Sequence, residues 1–164
     1  MVVERNEVII PTVSSKTYTN GRVGYIKVNA FLDNTGKEFV SALNKLVKKD
    51  IEGLVIDLRN NGGGYVGTAY DMLDRILPDN TDIFSFVYKS GKKEIAKTGE
   101  LSTGDDKVFN LPIVILINNE SASASELFTG ALKDNGYAET YMFFFPYQHT
   151  KVAKFLKIGE WNMY

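Results

Sequence analysis

The apolar positions along the chain switch repeatedly between a period of two and a period near 3.6, the signatures of strand and helix. Gly24 to Phe31 alternates, with Tyr25, Lys27 and Asn29 opposite Ile26, Val28 and Ala30, which predicts a half-buried strand. Thr35 and Glu38 then have the spacing of a capping box, and Phe39, Leu43, Leu46 and Val47 form the stripe of a helix reaching Lys49. Gly53 to Leu58 reads as a second, buried strand that runs into Arg59-Asn60-Asn61-Gly62-Gly63-Gly64. After the glycines, Val66, Ala69, Tyr70, Leu73, Ile76 and Leu77 mark a core-facing helix ended by Pro78. Ile83 to Tyr88, a Ser90-Gly91 turn and Lys92 to Lys97 predict a hairpin, with a polar connection from Leu101 to Asn110.

Leu111 to Ile117 is a continuous apolar run rich in β-branched residues, which predicts a strand covered on both faces. Ala124, Leu127, Phe128, Ala131 and Leu132 follow as one helical stripe, stopped at Asp134-Asn135-Gly136. The order strand, helix, strand, helix, hairpin, strand, helix predicts an α/β fold with a mostly parallel sheet and flanking helices. The ends look different. Val8-Ile9-Ile10 reads as a short strand closed by Pro11, and Ser14 to Gly21 has turn composition. From Tyr137 the chain becomes atypical: Met142 to Tyr147 is densely aromatic, and Lys151, Lys154 and Lys157 recur every third residue, as in a short helix. Such an aromatic run, if exposed, predicts self-association into a homo-oligomer.

Composition narrows the chemistry. A chain of 164 residues is one domain or most of one, and 19 basic against 20 acidic residues leave no basic block to suggest nucleic acid or a membrane surface. No stretch approaches the ~18 apolar residues of a membrane span. Cysteine is absent, which removes thiolate catalysis, disulfides and cysteine metal sites, and His149 alone cannot build a histidine-rich metal site. The expectation is therefore no cofactor and no metal.

Two loops remain as places for chemistry. In Ser121-Ala122-Ser123-Ala124-Ser125-Glu126 a serine sits where a strand hands over to a helix, beside free amides and the positive end of the helix dipole. The same residues make a capping box, Ser123 with Glu126, so capping and catalysis both stand at this point. In the other loop, Gly62, Gly64 and Gly67 match the dinucleotide pattern G-x-G-x-x-G between a strand and a helix. Against nucleotide binding, Asp57 to Asn61 separates strand from glycines, Tyr88-Lys89 stands where a ribose-binding acid belongs, and Thr68 follows Gly67 in place of a Walker lysine. Consecutive glycines also let backbone amides approach a reacting oxygen closely. In a parallel sheet the loops after Leu58 and after Ile117 open into one crevice.

Asp57-Leu58-Arg59-Asn60-Asn61-Gly62-Gly63-Gly64, followed by Ser121 to Glu126 and then Ala131-Leu132-Lys133-Asp134-Asn135-Gly136, closely resembles the C-terminal processing (tail-specific) serine peptidases. The resemblance covers residues 2 to 138 and implies a ClpP/crotonase-like fold. It implies residues 1–20 as the exit from an upstream PDZ-like domain, 21–138 as the peptidase core and 139–164 as a divergent tail. Ser123 would be the nucleophile, Ala124 and Gly63 the oxyanion donors, and Gly62 and Gly64 their substrate-binding neighbours. The reaction implied is hydrolysis of polypeptide substrates near their C-termini through an acyl-enzyme, and the setting implied is the bacterial cell envelope or extracytoplasmic space.

The family's general base is a lysine flanked by glycines, with an orienting glutamine shortly after it. This chain has Gln148 at the place of that lysine and no glycine-flanked lysine beyond Gly136. Lys151 is the candidate base, with Lys154 and His149 as substitutes. The alternatives are a chain whose dyad is lost and a non-catalytic relative that keeps the peptide-binding cleft. Asp57 and Asp134, at element ends, read as structural.

Overall fold

The computed structural model describes residues 10–99, 110–143 and 161–162. Its main sheet has five strands in the order β1-β2-β3-β6-β7. These are β1 (Val13–Tyr18), β2 (Val23–Val28), β3 (Gly53–Asp57), β6 (Ile113–Asn118) and β7 (Ala138–Phe143). Only β1 runs antiparallel to its neighbour; β2, β3, β6 and β7 are parallel. The crossovers are α1 (Thr35–Val47) after β2, α2 (Val66–Ile76) after β3 and α3 (Ala124–Asp134) after β6. A second, three-stranded sheet pairs β4 (Asp82–Val87) antiparallel with β5 (Lys93–Lys97) and parallel with β8 (Trp161–Asn162). Among the described residues no helix is long and apolar enough to cross a membrane.

The strand register explains where the core lies. Ile26, Ile56 and Ile115 are aligned across β2, β3 and β6, and all are fully buried. Beneath them α1 packs on α2 and α2 on α3, so Phe39, Leu43, Leu46, Leu73, Ile76, Phe128 and Leu132 close one continuous core. Residues of the other parity, Tyr25, Val55, Val114 and Leu116, are only half-buried. The β6 strand was expected to be covered on both faces. Among the described residues the helices cover one face, and Tyr141 and Phe143 on the opposite face are exposed.

The segment Ser14 to Gly21, expected as a turn, mostly forms β1. It is an edge strand, where Ser14, Ser15 and Lys16 can face water while the backbone still pairs, so polar composition did not exclude a strand. Only its end turns, with Thr19, Asn20 and Gly21 at positive φ. Thr35 is likewise not an N-cap but the first residue of α1. Its buried hydroxyl accepts the Leu32 N–H at 2.9 Å and lies 2.6 Å from the Thr12 hydroxyl. Glu38 accepts the Thr12 and Val13 amides at 2.8 and 3.1 Å, tying the start of β1 to the helix. The Val8 to Ile10 strand and the lysine-spaced helix fall mainly or wholly outside the described residues. The sheet itself continues past residue 138 to Phe143.

Candidate active site

The loops after β3 and β6 meet at the carboxyl end of the sheet, as parallel topology requires. Side chains stitch them together. Asn118, at the end of β6, accepts the Asn60 N–H at 2.9 Å and donates its amide to Asn60 Oδ1 at 2.7 Å. Ser121 accepts the Asn118 N–H at 3.0 Å and donates to the Leu58 carbonyl at 2.8 Å. The Asn61 carbonyl accepts the Ala122 N–H at 3.2 Å and the Ser125 hydroxyl at 2.9 Å. Asn60 is held at φ +61°, a conformation that asparagine tolerates better than most side chains.

Ser123 stands at the apex of this clasp, exposed, as the residue before α3. Its backbone is at φ 54°, ψ −118°, outside the regions that residues with a Cβ ordinarily occupy. Conformations of this kind cost of order 1–3 kcal/mol and persist where the surroundings impose them, commonly at functional sites. One half of the capping box forms: Glu126 Oε2 accepts the Ser123 N–H at 2.8 Å. The Glu126 N–H, however, makes its bond to the Ser123 carbonyl at 2.9 Å, so the hydroxyl makes no side-chain cap bond. Capping thus accounts for Glu126 and leaves the serine oxygen exposed at the positive end of α3.

The glycine loop lies between Ser123 and the chain that follows β2. Phe31 donates its N–H to the Gly63 carbonyl at 2.9 Å and accepts the Tyr65 N–H at 2.7 Å, while its ring packs on Phe128 of α3. A Cβ built on Gly63 would come within 2.6 Å of the Ala122 carbonyl, 2.8 Å of Ser123 Cβ and 2.9 Å of the Ala124 nitrogen. One built on Gly64 would sit 2.2 Å from the Phe31 carbonyl oxygen. Gly62 and Gly67 have open space at the same position. Close approach therefore requires Gly63 against the serine turn and Gly64 against Phe31, so of the three glycines in the dinucleotide pattern only Gly64 is constrained.

The Gly63 amide, expected to line an oxyanion hole, donates to Asn61 Oδ1 at 2.9 Å. Gly63 is buried and Gly64 exposed. The peptide between them is trans, so its carbonyl and N–H point in opposite directions. With the Gly63 carbonyl on Phe31, the Gly64 N–H points away from that bond. Ala124 is the first residue of α3, where amides have no intrahelical partner.

Asp57 keeps the structural role expected of it, in a larger network. The carboxylate is buried and accepts the Arg59 N–H and Nε, each at 2.9 Å, and the Tyr25 hydroxyl at 2.6 Å, with Lys27 Nζ at 3.4 Å. Burial alone would raise its carboxyl, but the Arg59 and Tyr25 hydrogen bonds outweigh burial and hold it well below the usual range. Burial and the bond to Asp57 push the Tyr25 hydroxyl up to about 12. Arg59 also stacks on the Phe143 ring at 5.0 Å, so the network braces the first residues of the glycine loop against β7. Asp134 ends α3. Lys151, Lys154, His149 and Gln148 lie outside the described residues, and among the described residues no cluster could hold a metal ion. Sequence reasoning gave no individual role to Asn60, Asn61 or Asn118; Asn60 and Asn61 entered only as part of the polar stretch and family motif before the glycines.

The peptidase family S41 model matches residues 22–141, the span that contains both loops. The chain is 34% identical over 137 residues to the carboxy-terminal processing protease CtpB of Bacillus subtilis, covering 82% of this chain and 28% of that protein. It is 35% identical over 113 residues to the carboxyl-terminal-processing protease of Synechocystis, covering 69% of this chain and 25% of that one. Among solved structures it resembles the photosystem II D1 C-terminal processing protease, with TM-score 0.65 and 27% identity over 83% of this chain and 37% of that chain. The chain belongs to peptidase family S41, the C-terminal processing serine peptidases, and its fold is the ClpP/crotonase-like α/β core. It spans about a quarter of the length of these curated relatives.

Proposed function

We propose that this chain carries the nucleophile and oxyanion elements of a serine peptidase that hydrolyses polypeptides near their C-termini. The carrying observation is Ser123 itself: exposed, strained, at a helix N-terminus and packed against a glycine loop. Ser123 Oγ attacks the scissile carbonyl and forms an acyl-enzyme that water then hydrolyses. The developing oxyanion takes hydrogen bonds from the Ala124 N–H and from the Gly64 N–H, with Gly63 shaping the wall and Gly62 lying nearer the bound peptide. Gly64 replaces Gly63 as donor in this reading because the Gly63 amide is already bonded to Asn61. A general base must be neutral to accept the serine proton, so a lysine base needs a pKa lowered by burial. Lys151 is the candidate for that role, with Lys154 and His149 tested beside it.

The test is to incubate the folded protein with a fluorophosphonate probe and locate the adduct by mass spectrometry, with Ser123→Ala as control. Labelling confined to Ser123 is the expected result, and Lys151→Ala, Lys154→Ala and His149→Ala then identify the base by loss of labelling. A folded protein that stays unlabelled refutes an activated serine. Peptides with apolar C-termini that bind such a protein uncut would make it a binding relative.

A further inference from the structure

We propose that Asn61 is the positioning residue of this site: it withholds the Gly63 amide and holds the Gly64 amide and Ser123 in one fixed relation. Asn61 is fully buried, and its side-chain amide bonds in two directions. Nδ2 donates to the Val28 carbonyl at the end of β2 at 2.9 Å, and Oδ1 accepts the Gly63 N–H at 2.9 Å. Its main chain is equally committed. The N–H goes to the Leu58 carbonyl at 3.1 Å, and the carbonyl accepts from both Ala122 and Ser125, the residues on either side of the Ser123-Ala124 turn. One residue thereby joins the ends of β2 and β3, the glycine loop and the start of α3.

The chemistry requires asparagine. A short planar amide supplies one donor and one acceptor on opposite sides. Aspartate lacks the donor for Val28, and alanine leaves two buried backbone groups, the Val28 carbonyl and the Gly63 amide, without these partners. With the Gly63 N–H bonded to Asn61 and the Gly63 carbonyl bonded to Phe31, both peptides around Gly63 are fixed, and we take the Gly64 N–H as the one left for the oxyanion. If Oδ1 is removed, the Gly62–Gly63 peptide is released and φ of Gly63 is no longer fixed from that side, which leaves the Phe31 bond alone to place the Gly64 amide relative to Ala124. The inference rests on the peptidase reading for its catalytic meaning, but the hydrogen bond itself can be tested without it.

The experiment therefore has two arms on the same folded protein. In the first, amide hydrogen exchange by NMR compares Gly63 with the Ile56 amide of the core in wild type and Asn61→Ala. Exchange of Gly63 relative to Ile56 should accelerate roughly tenfold, the effect of one lost hydrogen bond, and an unchanged ratio overturns the proposal. If Asn61→Ala does not fold, Asn61→Asp takes its place. The charged acceptor should move the Gly63 amide proton downfield, and an unmoved resonance overturns the proposal. In the second arm, the concentration dependence of fluorophosphonate labelling separates probe affinity from the rate of reaction at Ser123. Asn61→Ala should slow the reaction roughly tenfold with affinity little changed, and an undiminished rate in a protein that labels overturns the role in positioning. An unlabelled wild type counts against the activated serine, while the exchange arm still decides whether Asn61 holds the loop.

Discussion

The three consecutive glycines should respond very differently to the same small change. Gly64 has φ +143°, and a methyl group there would lie 2.2 Å from the Phe31 carbonyl oxygen and 2.8 Å from its carbon. A side chain in that conformation costs about 1–3 kcal/mol. Forcing the carbonyl aside costs about 1–3 kcal/mol more, because Phe31 is held by the Gly63 and Tyr65 hydrogen bonds on one side and by Phe128 on the other. The central expectation for Gly64→Ala is about 4 kcal/mol, or a fall in Tm of about 12 °C at about 3 °C per kcal/mol for a chain of this size. Gly62, by contrast, has no positive φ and open space where the Cβ would go. Gly62→Ala should stay within about 0.5 kcal/mol, under about 2 °C. Thermal melts followed by circular dichroism, on single variants in one buffer, make the comparison direct. If Gly64→Ala melts within about 2 °C of Gly62→Ala, the packing of the glycine loop on Phe31 is not as described.

Further outcomes follow from the same geometry. Ser123→Gly removes the Cβ from a strained residue, which should stabilise by about 1 kcal/mol net of the added chain entropy, while abolishing probe labelling; melting below Ser123→Ala would contradict the strain. Asn60→Ala and Asn118→Ala should be non-additive by at least about 0.5 kcal/mol, since both remove the bond from Asn118 Nδ2 to Asn60 Oδ1, and strict additivity in urea melts would disprove the clasp. Asp57 has a lowered carboxyl pKa in the folded state, so its contribution is complete above the unfolded value of about 4 and is lost as pH falls below it. The stability gap between wild type and Asp57→Asn should therefore narrow as pH drops from about 4 toward about 2. A gap independent of pH would show that the carboxylate charge plays no part. Tyr25, raised to about 12, contributes stability below its unfolded value of about 10 that is lost as pH rises through about 12, and Tyr25→Phe should remove that alkaline dependence in pH-titrated melts.

Periodicity revealed the three crossover helices and the parallel strands β2, β3 and β6 because each buries one continuous stripe; the fourth parallel strand, β7 at the sheet edge, read as the start of an atypical tail. Helix α3 runs from Ala124 to Asp134, as its apolar spacing requires. The misread segments are those in which solvent, rather than the core, sets the residue choice. The polar edge strand β1 read as a turn, and the half-exposed outer positions of β6 read as buried. The serine and glycine motifs were legible through family resemblance, and the crevice that joins them through parallel topology. What composition could not reveal was the hydrogen-bond partner of each amide. Gly63 looks like a donor for substrate until Asn61 is seen two residues before it, folded back onto its N–H. Asparagines that make specific bonds are indistinguishable in sequence from asparagines that merely permit a turn.

The stitching between the loops after β3 and β6 bears on how such a site can be moved or altered. Leu58, Asn60 and Asn61 supply bonding groups for Asn118, Ser121, Ala122 and Ser125, although some sixty positions of chain separate them. Neither loop is a portable module. Grafting the serine turn alone onto another parallel sheet would leave its hydroxyls and amides facing a foreign backbone, and importing the glycines alone would leave Asn60 and the Asn61 carbonyl without their partners. For an engineer the smallest transferable unit is the pair of loops together with the spacing of β3 and β6 beneath them. A library that varies one loop should therefore accumulate its compensating changes in the other.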